Sequence, residues 1–129
     1  MLLVIDTNII VSAIKTGDPQ SKTRMLIRDV MKGVHKMCVS PAIMEEYEDV
    51  LHRSELKLNH VLVDKFLAYI KVMSFWIDPL PTKQDQIQMR DEDDRIFFDV
   101  AKCLNVKLVT QNYRDYPVHE LITLIDELY

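Results

Sequence analysis

Met1-Leu2-Leu3-Val4-Ile5-Asp6-Thr7-Asn8-Ile9-Ile10-Val11 opens the chain. The short apolar run stops on a carboxylate, with two small polar residues behind it, and suits a strand buried on both faces. A charge at the end of such a strand is costly unless something pairs with it. In open parallel sheets the carboxyl ends of the strands are where ligands gather. Asp6 is therefore the first place to look for function, and other acids should converge on it.

Outward from residues 2–5, the pattern predicts a short helix over 8–14 and a turn at Thr16-Gly17-Asp18-Pro19. Asp18 can cap a second helix that has Pro19 in its first turn, runs to about Lys32 and ends at Gly33. A buried strand covers 37–39. Ser40-Pro41 then starts another helix, since Ser suits the N-cap and Pro the first helical position. A helix over 61–72 and a strand over 74–77 come next, before Pro79 and Pro81 break the chain. Residues 82–90 read as polar and irregular, 93 to about 104 as helix, 106–109 as a fourth strand and 121–124 as a short fifth. Strands alternating with helices, each strand apolar throughout, imply a parallel α/β sheet covered on both faces. At 129 residues the whole chain, 1–129, is expected to be one domain.

The net charge of −4 and pI of about 5.5 argue against a protein held to nucleic acid by bulk positive charge. They leave room for an enzyme that meets phosphates through metal ions. Cys38 and Cys103 each fall inside a predicted apolar element, so two buried free thiols and a reducing compartment are expected. No basic region precedes the first apolar stretch, which Asp6 and Asn8 interrupt, and no run approaches membrane-spanning length. A cytoplasmic protein with no membrane partner is expected.

Four acidic stations stand on successive strand–helix units. The first is Asp6, which could alternatively be a plain helix N-cap. The second is on the helix after Ser40. At 100° per residue, Ile43, Met44, Tyr47, Val50 and Leu51 form its apolar face, and Glu45 and Asp49 lie away from it. Glu46 and Glu48 fall on opposite borders, where an acid can lean toward the sheet's rim, and geometry leaves the choice between them open. The third is Arg90-Asp91-Glu92-Asp93-Asp94-Arg95, the densest acidic run. There Asp94 sits at the edge of the packed face, Asp93 suits the N-cap and Asp99 is expected to point outward. The bland reading is an acidic loop favoured by a helix dipole. The fourth is Thr110-Gln111-Asn112-Tyr113-Arg114-Asp115, which repeats the opening pattern of apolar strand, small polar residues and acid.

Carboxylates packed together repel, and some stay protonated unless a cation sits among them. Oxygen ligands without His or Cys suit Mg²⁺ or Mn²⁺ rather than zinc. Such ions polarise a phosphate, lower the pKa of a bound water and steady the leaving oxygen. The histidines, His35, His52, His60 and His119, have no ligand-like spacing and read as surface residues.

Asp6-Thr7-Asn8 after a first strand resembles the opening of PIN-domain nucleases. Ser40 to Glu46 on the following helix, the run Asp91-Glu92-Asp93-Asp94, and Leu108-Val109-Thr110 continue the likeness in order and spacing. It is closest to VapC-like toxins and to toxin components of the PIN family in which Ser-x-x-Ile-x-Glu-Glu-x-x-x-Val-Leu is similar to Ser40–Leu51. The resemblance implies a three-layer fold with a five-stranded parallel sheet in the order 3-2-1-4-5, helices on both faces. It also implies cleavage of single-stranded RNA with one or two Mg²⁺ or Mn²⁺ ions, and a cognate antitoxin that masks the site. It maps the catalytic and metal-binding acids onto Asp6, Glu46, Asp94 and either position 112 or Asp115, thereby choosing Glu46 over Glu48. Many members have Thr-x-Asp where this chain has Thr110-Gln111-Asn112. Asn112 cannot carry charge, so the fourth role is expected to pass to Asp115. Where the family often has Gly before the fourth strand, Asn105 still tolerates a left-handed cap.

Asn8 is expected to orient Asp6, and Thr110 to position a water or a phosphate oxygen, with Asn112 and Asp93 in supporting places. Arg24, Arg28 and Lys32 recur every four residues on the second helix, as an RNA backbone track or as an ordinary solvated face. Arg95 and Arg114 flank the acids, either to contact phosphate or to offset charge. Tyr113 and Tyr116 lie in a loop suited to base stacking. Relatives commonly dimerise, but no homodimer interface is legible. A HAD-type phosphatase would need a second Asp where Asn8 stands. A receiver domain would need an acidic pair where residue 5 is Ile, and a late Lys. A PIN scaffold that binds RNA or protein without cleaving is the remaining alternative.

Overall fold

The computed structural model describes residues 1–129. Its strands are β1 (Leu2–Ile5), β2 (Lys36–Val39), β3 (Phe75–Trp76), β4 (Lys107–Thr110) and β5 (Ile122–Leu124). Its helices are α1 (Thr7–Lys15), α2 (Lys22–Met31), α3 (Pro41–Leu51), α4 (His60–Met73), α5 (Arg95–Leu104) and α6 (Ile125–Leu128). Every strand pair is parallel, as the strand–helix alternation predicts, and the sheet order is β3-β2-β1-β4-β5, the order that the family resemblance implies. Leu3, Val4 and Ile5 are wholly buried, which requires cover on both faces.

The order places β1 at the centre, with later strands added on one side and then on the other. That reversal opens a crevice at the carboxyl ends of β1 and β4. Ile5 pairs with Val109 in register, so Asp6 and Thr110 leave the sheet as neighbours. The Asp6 amide donates to the Val109 carbonyl at 2.9 Å, which continues the ladder one residue past the strand. Adjacent acids on separate turns are thus a consequence of register.

Local chemistry sets most element ends as expected. Ser40 caps α3 by accepting from the Ile43 amide at 3.1 Å, with Pro41 in the first turn. Asn105 ends α5 in the left-handed region at φ 55°, which Asn tolerates better than most residues. The Tyr47 hydroxyl, wholly buried on α3, donates to the Ile5 carbonyl and ties that helix to β1.

Four expectations change. The second helix starts after Ser21, because Asp18 accepts from the Gln20 amide at 2.9 Å in a local turn and caps nothing longer. The acidic turn Glu92–Asp94 is a 3-10 turn, and its cap is Asp91, which accepts from the Asp93 amide at 3.0 Å, so Asp93 is not the N-cap. Asp99 does not point outward: it is 7% exposed and accepts from both the amide and the hydroxyl of Thr82. Cys103 is exposed and only Cys38 is buried, since residue 103 falls on the outer side of α5.

Candidate active site

Asp6 is the buried centre of the carboxyl-end crevice, 6% exposed. Three side chains donate to its Oδ2: Thr110 Oγ1 at 2.9 Å, the Tyr116 hydroxyl at 3.1 Å and Asn8 Nδ2 at 3.3 Å. Asn8 Nδ2 also reaches Thr110 Oγ1 at 3.3 Å, and the Asn8 Oδ1 accepts from the Gln111 amide at 3.3 Å. Residues from β1, α1, β4 and the turn after it therefore fix one carboxylate oxygen. Burial pushes the Asp6 carboxyl above its ordinary value, and the bonds from Thr110 and Tyr116 pull part of the way back.

Asn8 bonds Asp6 as expected, and the Thr110 hydroxyl, expected to hold a water or a phosphate oxygen, is directed at Asp6 itself. Tyr116 does not stack bases: it is wholly enclosed, and burial together with the Asp6 charge holds its hydroxyl protonated. A sequence reading could have found it only as an aromatic four positions past Asn112, since nothing local marks a hydroxyl aimed at residue 6. Tyr113 is exposed.

Glu46 and Glu48 separate clearly. Glu48 forms an ion pair with Lys71 on α4, away from Asp6. Glu46 is half-buried; burial raises its carboxyl most, Arg53 opposes, and the charges of Asp49, Asp93 and Asp6 raise it further. Asp94 is pushed up to about 7, first by burial and then by the charges of Asp6, Asp91, Asp115 and Glu46. Asp115, on the turn after β4, is near enough for its charge to raise Asp94, and Asn112 Nδ2 donates to its Oδ1 at 3.5 Å. Asn112 itself caps the short turn Tyr113–Asp115 by accepting from the Arg114 amide at 3.2 Å.

The basic residues are arranged differently from the expectation. Arg95 is buried, with Nε donating to Glu92 at 2.7 Å and further bonds to Thr82, Gln84 and the Ile87 carbonyl. It offsets Glu92 and straps the 82–90 segment to α5, so its guanidinium is not presented to a phosphate. Arg24 and Arg28 donate to the carbonyls of Thr16 and Pro19, closing the α1–α2 connection. Their spacing on α2 reflects that loop more than an open track. Lys32 and Arg114 are exposed.

None of Asp6, Glu46, Asp94 and Asp115 has a salt-bridge partner. No three carboxylates converge closely enough to cage an ion as they stand. Yet the donor set is all oxygen; burial raises three of its members, and repulsion from neighbouring carboxylates raises Glu46 and Asp94 further. An added dication would relieve that repulsion, so the residues fit a hard metal ion once they draw together.

A family model described as PIN domain matches residues 2–114. Among solved structures, the chain is similar to one described as VapBC2 from Rickettsia felis bound to a DNA fragment from their promoter. The match has a TM-score of 0.58 and 18% identity, and covers 96% of this chain and 97% of the other. No curated protein matches the sequence. No helix is long and apolar enough to cross a membrane. With the family model spanning β1 to the turn after β4, the chain belongs to the PIN domain family.

Proposed function

We propose that this chain is a metal-dependent endoribonuclease acting on single-stranded RNA, and the toxin of a VapBC-like pair. The observation that carries the reading is the Asp94 carboxyl, raised to about 7 first by burial and then by the charges of Asp6, Asp91, Asp115 and Glu46, with no basic partner. A structural acid cluster would be expected to carry its own Lys or Arg. Perturbed acids in a cleft are candidate functional groups.

Asp6, Glu46 and Asp94 would hold one or two Mg²⁺ or Mn²⁺ ions, with Asp115 assisting. Bound there, the metal supplies Lewis-acid activation of the phosphodiester and of the attacking water. Asn8, Thr110 and Tyr116 hold Asp6 in one orientation, so no rotamer search accompanies each turnover. The half-buried crevice strengthens every charge interaction inside it. The toxin assignment, with an antitoxin covering the crevice, draws on the fold shared with the VapBC2 structure and on the motif resemblance. The thiols Cys38 and Cys103, both free, support placement in the cytoplasm.

Single-turnover cleavage of a labelled single-stranded RNA tests the reading. Wild type should cut with Mn²⁺ or Mg²⁺ and stop in EDTA, and Asp6→Asn should be inert with its fold intact. Binding of RNA without cleavage under any metal would favour the non-cleaving scaffold instead.

A further inference from the structure

A groove of about 650 Å³ runs beside the acid cluster, walled by α1 on one side and by the end of α3 on the other. Its inner end is formed by Thr7 and Asn8, and Asn8 is the residue that also donates to Asp6. Its outer end is bracketed by two cations, Lys15 on α1 and Arg53 just past α3. Between them, Ser12 and Gln111 present neutral polar groups, and Gln111 Nε2 donates to Ser12 Oγ at 3.3 Å. Thr7 supplies a separate observation. It is 7% exposed, and its hydroxyl is buried without any hydrogen-bond partner. A buried hydroxyl left without a partner is unfavourable, and this one sits on a residue that lines the groove.

We propose that this groove carries the phosphate backbone of single-stranded RNA on one side of the acid cluster, with Lys15 and Arg53 as its phosphate contacts. The proposal rests on the nuclease reading and adds a direction to it. From Thr7 to Lys15 the helix rises about 12 Å, room for about three stacked nucleotides. A chain of net charge −4 has no bulk attraction for a polyanion, so contact must come from local cations. Lys15 has no ion-pair partner, and Arg53 has only an exposed pair with Asp49 at 3.0 Å. Exposed pairs of that kind are weak, and a guanidinium gains more from a phosphate. Val11, Val50 and Leu56 give the groove an apolar floor, so the case for a polyanion rests on the two cations at its outer end, Lys15 and Arg53.

The test is fluorescence anisotropy of a short labelled oligouridylate with the full chain in EDTA, titrated across salt concentration. Lys15→Gln and Arg53→Gln should each weaken binding about three- to tenfold. Each should also lower the slope of log affinity against log salt by about 0.7. Lys32→Gln and Lys102→Gln, both exposed and outside the groove, should leave both unchanged. Loss confined to these two variants, or no change in slope for Lys15→Gln and Arg53→Gln, overturns the proposal and leaves the groove to solvent or a protein. Because cleavage is off in EDTA, this result is independent of the one that decides nuclease activity.

Discussion

The Tyr116 hydroxyl donates to Oδ2 of Asp6 at 3.1 Å from a residue 110 positions further along the chain. That bond spans the central strand and the turn after β4, and it joins the bonds from Thr110 and Asn8 on the same oxygen. Tyr116→Phe keeps the ring's packing and removes one of three donors. Unfolding stability should fall by about 1 kcal/mol. Cleavage should fall about tenfold in kcat with KM for RNA unchanged, because the loss lies in orienting Asp6 rather than in binding. A rise in KM at constant kcat would instead place Tyr116 in RNA contact.

Asp94 couples stability to pH in the metal-free protein. Its carboxyl titrates near 7 when folded and near the ordinary 3.8 when unfolded. With the folded value raised, this group's contribution is fully present below about pH 4 and is lost as pH rises toward 7. The raw shift corresponds to about 4 kcal/mol, and screening at a half-exposed site reduces that to roughly 1–2. Asp94→Asn, compared with wild type by urea unfolding in EDTA, should therefore be more stable near neutral pH and not near pH 4. It should also be inactive. An Asp94→Asn variant equally or less stable at neutral pH would show that neither burial nor the neighbouring carboxylates penalise the ionised Asp94.

Glu46 and Glu48 differ by two positions and by the charge each faces. Glu46→Gln should abolish metal-dependent cleavage with less than about 1 kcal/mol of change in stability. Glu48→Gln loses only a surface pair with Lys71, so activity should stay within about twofold of wild type. Single-turnover rates under identical Mn²⁺ decide between them, and equal losses would contradict the separation.

Asp99 holds the segment before the acidic turn by accepting two bonds from Thr82, while Arg95 binds Thr82, Gln84 and the Ile87 carbonyl. Asp99→Ala leaves those donors without an acceptor and should cost about 2–3 kcal/mol in urea unfolding. Asp99→Asn, which keeps one acceptor oxygen, should cost less. A loss below about 0.5 kcal/mol for the Ala variant would mean that the strap is not held here.

The parallel sheet was legible because short apolar strands alternate with helices, as at Leu3-Val4-Ile5 and Leu108-Val109, whereas its order followed only from the resemblance to PIN domains. Helix periodicity was enough to reduce α3 to two acids, and tertiary contacts separate them: Glu48 pairs with Lys71, whereas Glu46 has no ion pair. What the sequence concealed are interactions at long separation. Tyr116 on Asp6, Arg95 and Asp99 gripping an irregular segment, and Arg24 and Arg28 on loop carbonyls each depend on a partner that no periodic pattern announces. The cap at Asp91 in place of Asp93 arose because a 3-10 turn precedes the helix, and short turns carry weak signals.

The central claim is that oxygens from separate turns gather a hard dication, and manganese located by its anomalous scattering in soaked crystals tests it most directly. The expected result is a peak bounded by the carboxylates of Asp6, Glu46 and Asp94, absent from crystals of Asp6→Asn. Side chains that remain apart at full manganese occupancy elsewhere, with no peak in the crevice, would contradict it.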